Sequence, residues 1–201
     1  GGAGVAEAIR KILLDPELEV CPIAELFLYE ASRAQHTAEV LLPALKKGKT
    51  VICERYTMST DVYQGLARGL SLKTTGALNR IATGGLTPDL TLVIDVPDSE
   101  FSRRDRKRAL DRLERENAAF KRRVRAGYRR LARAGRKTIL LDGTRPARSD
   151  ADAAPDRPVS FRRRYRRYST PCRGLARPVS SRVRSRMLKN APLVQAVQKG
   201  P

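Results

Sequence analysis

The run Leu90–Val96, L-T-L-V-I-D-V, constrains the fold more than any other stretch of the chain. It is almost continuously apolar and rich in branched side chains, the pattern of a strand buried on both faces of a parallel sheet. Two shorter runs share its character: Thr50–Cys53, preceded by the turn K-K-G-K, and Thr138–Leu141, closed by Asp142-Gly143. Helical patterns separate them. A Gly-rich turn at Gly1 leads into V-A-E-A-I-R-K-I-L-L, which ends near Asp15-Pro16. Ile23–Leu42 reads as a long helix between Pro22 and Pro43, with Ile23, Leu26, Phe27, Ala34 and Leu41 turned towards the sheet. Leu72–Ile81 is helical, and Thr83-Gly84-Gly85 is a turn. From Asp111 to Ala134 the positions Leu113, Asn117, Phe120, Val124, Tyr128 and Leu131 recur at spacings of three and four, a helix of about six turns. Strands alternating with helices predict an α/β fold with a parallel sheet.

Charge divides the chain in two. The net charge of +20 over 201 residues is shared evenly between residues 1–148 and residues 149–201, although the second part is about a quarter of the length. From Ser149 onward the amphipathic period is lost, and F-R-R-R-Y-R-R-Y-S-T-P-C-R-G is followed by Pro and Ser punctuation. This segment reads as a disordered basic tail, as an Arg-rich nucleic-acid arm with Tyr165 and Tyr168 as stacking residues, or as out-of-frame translation of GC-rich coding sequence. Cys21, Cys53 and Cys172 have no metal-ligand spacing and form no even framework, which predicts a reducing, cytoplasmic setting. No apolar run approaches the length of a membrane span, and the first residues lack a signal-type pattern.

Chemistry-bearing residues gather in V-I-C-E-R-Y-T-M-S-T-D-V-Y-Q-G, Val51–Gly65. Glu54 and Arg55 project from the carboxyl end of the predicted strand, where open α/β sheets collect ligands. The guanidinium fork suits phosphate or carboxylate. Ser59 or Thr60 can cap the following helix, with Tyr63 and Gln64 about one turn on. The plain alternative is a surface ion pair before an ordinary helix. On the long helix Tyr29, Arg33 and His36 form a second stripe at i, i+4 and i+7; read blandly, they are a boundary aromatic, a solvated charge and a lone histidine. Arg103-Arg104-Asp105-Arg106-Lys107-Arg108 is by itself a solvated face or a nucleic-acid patch. The phosphate-loop pattern G-x-x-x-x-G-K-[ST] has no match: Gly48-Lys49-Thr50 stands where Pro43 replaces the first Gly, and it precedes a strand instead of following one.

The order E-R-Y-x-x-S-T-x-x-Y-Q-G, Glu54–Gly65, closely resembles the nucleoside-monophosphate motif of bacterial thymidylate kinases, which usually begins Asp-Arg. The resemblance extends through E-L-F-L-Y-E-A-S-R-A-Q-H (Glu25–His36), A-T-G-G-L-T-P-D-L-T-L-V-I-D-V (Ala82–Val96), D-R-L-E-R-E (Asp111–Glu116) and V-R-A-G-Y (Val124–Tyr128). These five blocks stand in the family's order over residues 1–148.

The resemblance implies a P-loop kinase-like parallel sheet with flanking helices, here incomplete. The family's first two strands, phosphate loop and intervening helix would lie upstream of Gly1, and its first strand would sit between Thr50–Cys53 and Leu90–Val96. It implies transfer of the γ-phosphoryl of ATP to dTMP, with Mg2+, in a cytoplasmic homodimer; no membrane is involved, and nucleic acid is not expected among the partners. Arg55 would grip the dTMP phosphate, and Glu54 would order a magnesium-bound water or orient the acceptor. Tyr29 would stack on thymine and Arg33 would contact the base; Ser59, Thr60 and Gln64 would also serve the base, while Tyr63 would crowd the 2′ side of the sugar. Arg103, Arg104, Arg106 and Arg108 would belong to a lid over ATP, and the residues holding ATP itself are left open. A catalytically inactive relic that binds dTMP, and a basic nucleic-acid-binding protein, are the competing readings.

Overall fold

A computed structural model describes residues 3–97, 111–144 and 193–198, the last six as backbone. Helix α1 (Gly4–Leu14) packs along α2 (Pro22–His36), which runs on through a π-helical stretch, Thr37–Leu41, into α3 (Leu42–Lys46). Pro43 ends nothing here: the chain stays helical past it, from the π-helical stretch into α3. Strand β1 (Val51–Glu54) leads into α4 (Thr57–Thr60) and a second π-helical stretch, Asp61–Ala67. Neither Ser59 nor Thr60 caps this helix; Tyr56 stands at its N-cap without a side-chain bond. Helix α5 (Leu72–Ala82) is capped by the Ser71 hydroxyl, which accepts from the Lys73 and Thr74 N–H groups. The turn after it needs left-handed backbone, and Gly84 and Gly85 supply it at φ 58° and 79°.

Strands β2 (Leu90–Asp95) and β3 (Thr138–Asp142) flank α6 (Ala118–Ala134). The six-turn helix expected from Asp111 therefore begins seven residues later. Asp111 and Glu114 exchange side-chain-to-N–H bonds of 2.9 Å, closing a local turn, and Asn117 then caps α6 by accepting from the Phe120 N–H at 2.9 Å. Apolar spacing alone does not register such local competition for the backbone.

The sheet is parallel throughout, in the order β1-β4-β2-β3. Its central strand β4 (Leu193–Gln198) comes from the segment that the sequence sets apart as a tail. Val51–Glu54 pair with Leu193–Ala196 on one side of it, and Leu90–Ile94 pair with Val194–Gln198 on the other. L-V-Q-A-V-Q thus fills the position where the resemblance leaves room for another strand.

One face of the sheet carries the core. Val93 and Leu140 pack under α6 and the second π stretch, with Val62, Tyr63, Phe120, Val124 and Tyr128. Cys53 and Val51 pack against Leu41, Leu45, Tyr56 and Leu86. The alternate positions point the other way, and Ile52 is 73% exposed there. Burial therefore alternates along β1 and β2, whereas continuous burial is the expectation for the run Leu90–Val96. On α2, Leu26 and Leu41 of the predicted stripe are buried, but Ile23 and Phe27 are 43% and 55% exposed.

Candidate active site

Arg55 follows the last residue of β1 and is the one non-glycine residue with positive φ (56°) among the described residues. Left-handed backbone costs a residue with a Cβ roughly 1–2 kcal/mol, so such strain persists only where the surroundings enforce it. The Arg55 side chain is held against Tyr63. Arg55 Nη1 donates to the Tyr63 hydroxyl at 3.2 Å, and the guanidinium carbon lies 5.4 Å from that ring's centroid. Burial opposes the Arg55 charge, but the Tyr63 and Tyr128 phenols outweigh it and hold its pKa above the ordinary arginine value.

Tyr63 is in turn braced by Phe120 and Tyr128, at centroid distances of 6.1 and 6.2 Å. Its position is set by the π-helical stretch, in which the Arg68 N–H bonds the Tyr63 carbonyl five residues back. Such wide turns turn side chains out of α-helical phase and concentrate at functional sites. Tyr29 packs against the same aromatic cluster from α2, and burial, then Glu25, pushes its pKa up.

Arg33 approaches from α2. Its Nη2 donates to the Thr60 hydroxyl at 2.5 Å, its Nε lies 3.4 Å from Glu30 Oε2, and its guanidinium carbon is 5.3 Å from the Tyr56 ring centroid. Glu30 is 6% exposed, and burial raises its pKa while Arg33 and Thr60 oppose the rise. Ser59 accepts a 2.9 Å bond from the Tyr128 hydroxyl. Tyr29, Arg33, Arg55, Ser59, Thr60 and Tyr63 are thus joined by direct contacts or by shared aromatic packing at the carboxyl end of β1.

Gln64 is placed elsewhere. Its side-chain amide donates to Glu25 Oε1 at 2.7 Å, inside a buried cluster that also holds Arg68 and Arg112. Glu54 is exposed at the strand end. Arg103, Arg104, Arg106 and Arg108 lie outside the described residues.

Three participants escaped the sequence reading. Tyr128 reads as core yet hydrogen-bonds Ser59 across 69 positions; Tyr56 forms one wall for Arg33; and Asp61 accepts from Thr75 and Asn79 at 2.7 and 3.1 Å. Each is a polar group on an otherwise apolar or local pattern, and the only signal in the sequence was that a buried hydroxyl or carboxylate must find a partner.

Can the site hold a metal? Among the described residues no three His, Cys, Asp or Glu side chains converge to bind one. Glu54 is exposed at the carboxyl end of β1, and a single carboxylate suits a metal-bound water but is insufficient for direct ligation.

A parallel α/β sheet with helices packed on it, and polar side chains gathered at its carboxyl edge, is the architecture of the P-loop kinase-like class. The family model described as thymidylate kinase matches residues 1–152. Curated relatives named thymidylate kinase include one from Desulfosudis oleivorans, 44% identical over 157 residues covering 73% of each chain. Another, from Deinococcus radiodurans, is 45% identical, with 73% of this chain and 72% of the relative covered. One from Caldanaerobacter subterraneus subsp. tengcongensis is 48% identical, covering 71% and 69%. The chain belongs to the thymidylate kinase family.

Proposed function

We propose that the protein is an ATP-dependent dTMP kinase, giving dTDP and ADP, and that the described site is its dTMP pocket. The observation that carries this reading is Arg55, held in a left-handed conformation at the carboxyl end of β1 with its guanidinium laid against Tyr63. That fork grips the dTMP phosphate. Tyr29 stacks on thymine, a contact worth about 1–3 kcal/mol. Arg33, fixed by Glu30 and Thr60, contacts the base edge together with Ser59 and Thr60. Tyr63 limits space beside the 2′ carbon of the sugar. Gln64, committed to Glu25, acts on the base only through the packing of the π stretch.

Phosphoryl transfer asks the protein mainly to position two anions and to neutralise spreading charge. Magnesium, when bound with ATP, supplies part of that neutralisation, and Glu54 is the residue placed to hold one of its waters. We further read the chain as cytoplasmic, and as a homodimer that covers the exposed Ile23 and Phe27 of α2.

A coupled ADP-release assay on the purified chain with ATP, Mg2+ and either dTMP, dGMP or AMP tests the proposal. Calorimetric binding of dTMP in preference to dGMP and AMP is the expected result, with ADP release only from a version joined to a phosphate loop, because Gly48-Lys49-Thr50 does not form one. Binding of dTMP without ADP release even then would favour the inactive dTMP-binding relic, and equal competition by dGMP would remove Tyr29 and Arg33 from the base site.

A further inference from the structure

Helix α6 bears seven Lys and Arg residues and no acidic one in 17 positions. Its inward stripe, Phe120, Val124 and Tyr128, is spent on the core. The opposite side is a groove of about 510 Å3 lined by Arg122, Arg125, Ala126, Arg129, Arg130 and Arg133. Asp95 takes up two of these cations: Arg125 binds it at 2.7 and 3.1 Å, and Arg129 approaches to 3.7 Å. Arg122, Arg130 and Arg133 are exposed and have no acidic partner among the described residues. Like charges three and four positions apart on a helix repel, so this face is costly to keep without a counter-charge.

We infer that the arginine face of α6 is a docking surface for the phosphodiester backbone of nucleic acid, bound without regard to base sequence. This goes beyond the kinase reading and does not depend on it. Four points favour this partner. The cations run along a line of roughly 16 Å, at 1.5 Å per residue, and a polymer of regularly spaced charges can follow such a line. Guanidinium forks pair bidentately with phosphate oxygens. Among the described residues the lining presents no aromatic ring and no hydrogen-bond acceptor for a base edge, which favours contact with the backbone. Nor do those described lining residues include the Leu, Phe or Trp side chains by which an amphipathic helix enters a lipid interface. The face turns away from the proposed dTMP pocket, because Tyr128, on the inward stripe, is the α6 residue that reaches Ser59.

The test is fluorescence anisotropy of the full chain with a labelled 30-nucleotide single strand and its duplex, titrated between 50 and 200 mM salt. Arg122→Gln/Arg130→Gln/Arg133→Gln is compared with wild type and with a control, Lys46→Gln/Lys47→Gln/Lys49→Gln, which removes three exposed charges elsewhere. Losing three phosphate contacts should flatten the log–log salt dependence by about 2 for the single strand, so wild type loses roughly 20-fold more affinity than the variant across that range. Arg133→Gln alone should flatten it by about 0.7. A matching thermal melt and unchanged dTMP binding in the triple variant show that the fold is retained. Identical salt slopes in wild type and triple variant overturn the inference, as does a control that loses as much as the variant. Tighter binding to phosphatidylserine vesicles or polyglutamate than to DNA also overturns it, by assigning the face to a membrane or an acidic protein.

Discussion

Arg55 is where local cost and function meet. Its positive φ would be relieved by glycine, yet only a guanidinium can both stack on Tyr63 and present two parallel donors to a phosphate. Arg55→Ala should therefore weaken dTMP binding by about 3 kcal/mol, roughly 100-fold in Kd, as charge-assisted bonds are lost. Arg55→Lys should recover little of this, because an ammonium offers a point charge without the fork. Calorimetric titration of dTMP into both variants decides the matter, and wild-type affinity in Arg55→Ala would remove this residue from the site. The residue types in E-R-Y-x-x-S-T-x-x-Y made Arg55 and Tyr63 legible beforehand, since their spacing is local. Gln64, next to Tyr63 in sequence, pairs at long range instead: its amide donates to Glu25, 39 positions away.

At the scale of elements, β4 matters most. Strands β1 and β2 do not touch each other; each pairs with β4, so the sheet is continuous only through Leu193–Gln198. Ala196 stands opposite both Glu54 and Leu92. Ala196→Pro would remove an N–H from the middle of this central strand and leave a neighbouring carbonyl unpaired, at about 1–3 kcal/mol for the unsatisfied group alone. A lowered midpoint in urea denaturation is the expected outcome; an unchanged midpoint would mean that β4 contributes nothing to the stability of the sheet. L-V-Q-A-V-Q has strand-favouring valines but sits beyond an Arg-rich stretch with no period, so composition masked it. Helix α6 teaches the converse. Its apolar stripe extended plausibly back to Leu113, and only the Asn117 cap and the Asp111–Glu114 exchange stop the helix there.

At the scale of the whole molecule, a buried ionic cluster joins α1, α2, the second π stretch and the turn before α6. Glu25, fully buried on α2, accepts from Arg68 at 3.3 and 3.1 Å and from Gln64, and Arg112 lies 2.7 Å away. Arg68 reaches Glu116 at 2.6 Å, and Arg112 donates to the Leu13 carbonyl at the end of α1. Burial alone would push the Glu25 pKa up; Arg68, Gln64 and Arg112 overcome it and hold the carboxyl below the usual value of 4.5. A lowered carboxylate stabilises the fold above its unfolded pKa, and that contribution is lost as pH falls through the folded one. Glu25→Gln should therefore cost about 3 kcal/mol at pH 7, where it removes the carboxylate facing Arg112 and leaves Arg68 with Glu116, and the gap to wild type should narrow below about pH 4.5. Thermal melts of both proteins from pH 3.5 to 7 check this, and a gap independent of pH would mean that the charge on Glu25 plays no part. By itself the sequence determined the α/β class, three of the four strands, the motif at Glu54–Gly65 and the family, because strand burial, helical spacing and motif order are written in residues near one another. Tertiary structure alone decided the strand that closes the sheet, the Glu25 cluster and the partner of each buried polar side chain. These rest on pairings across tens of residues, where the free energy of satisfying a buried group has no local pattern to announce it.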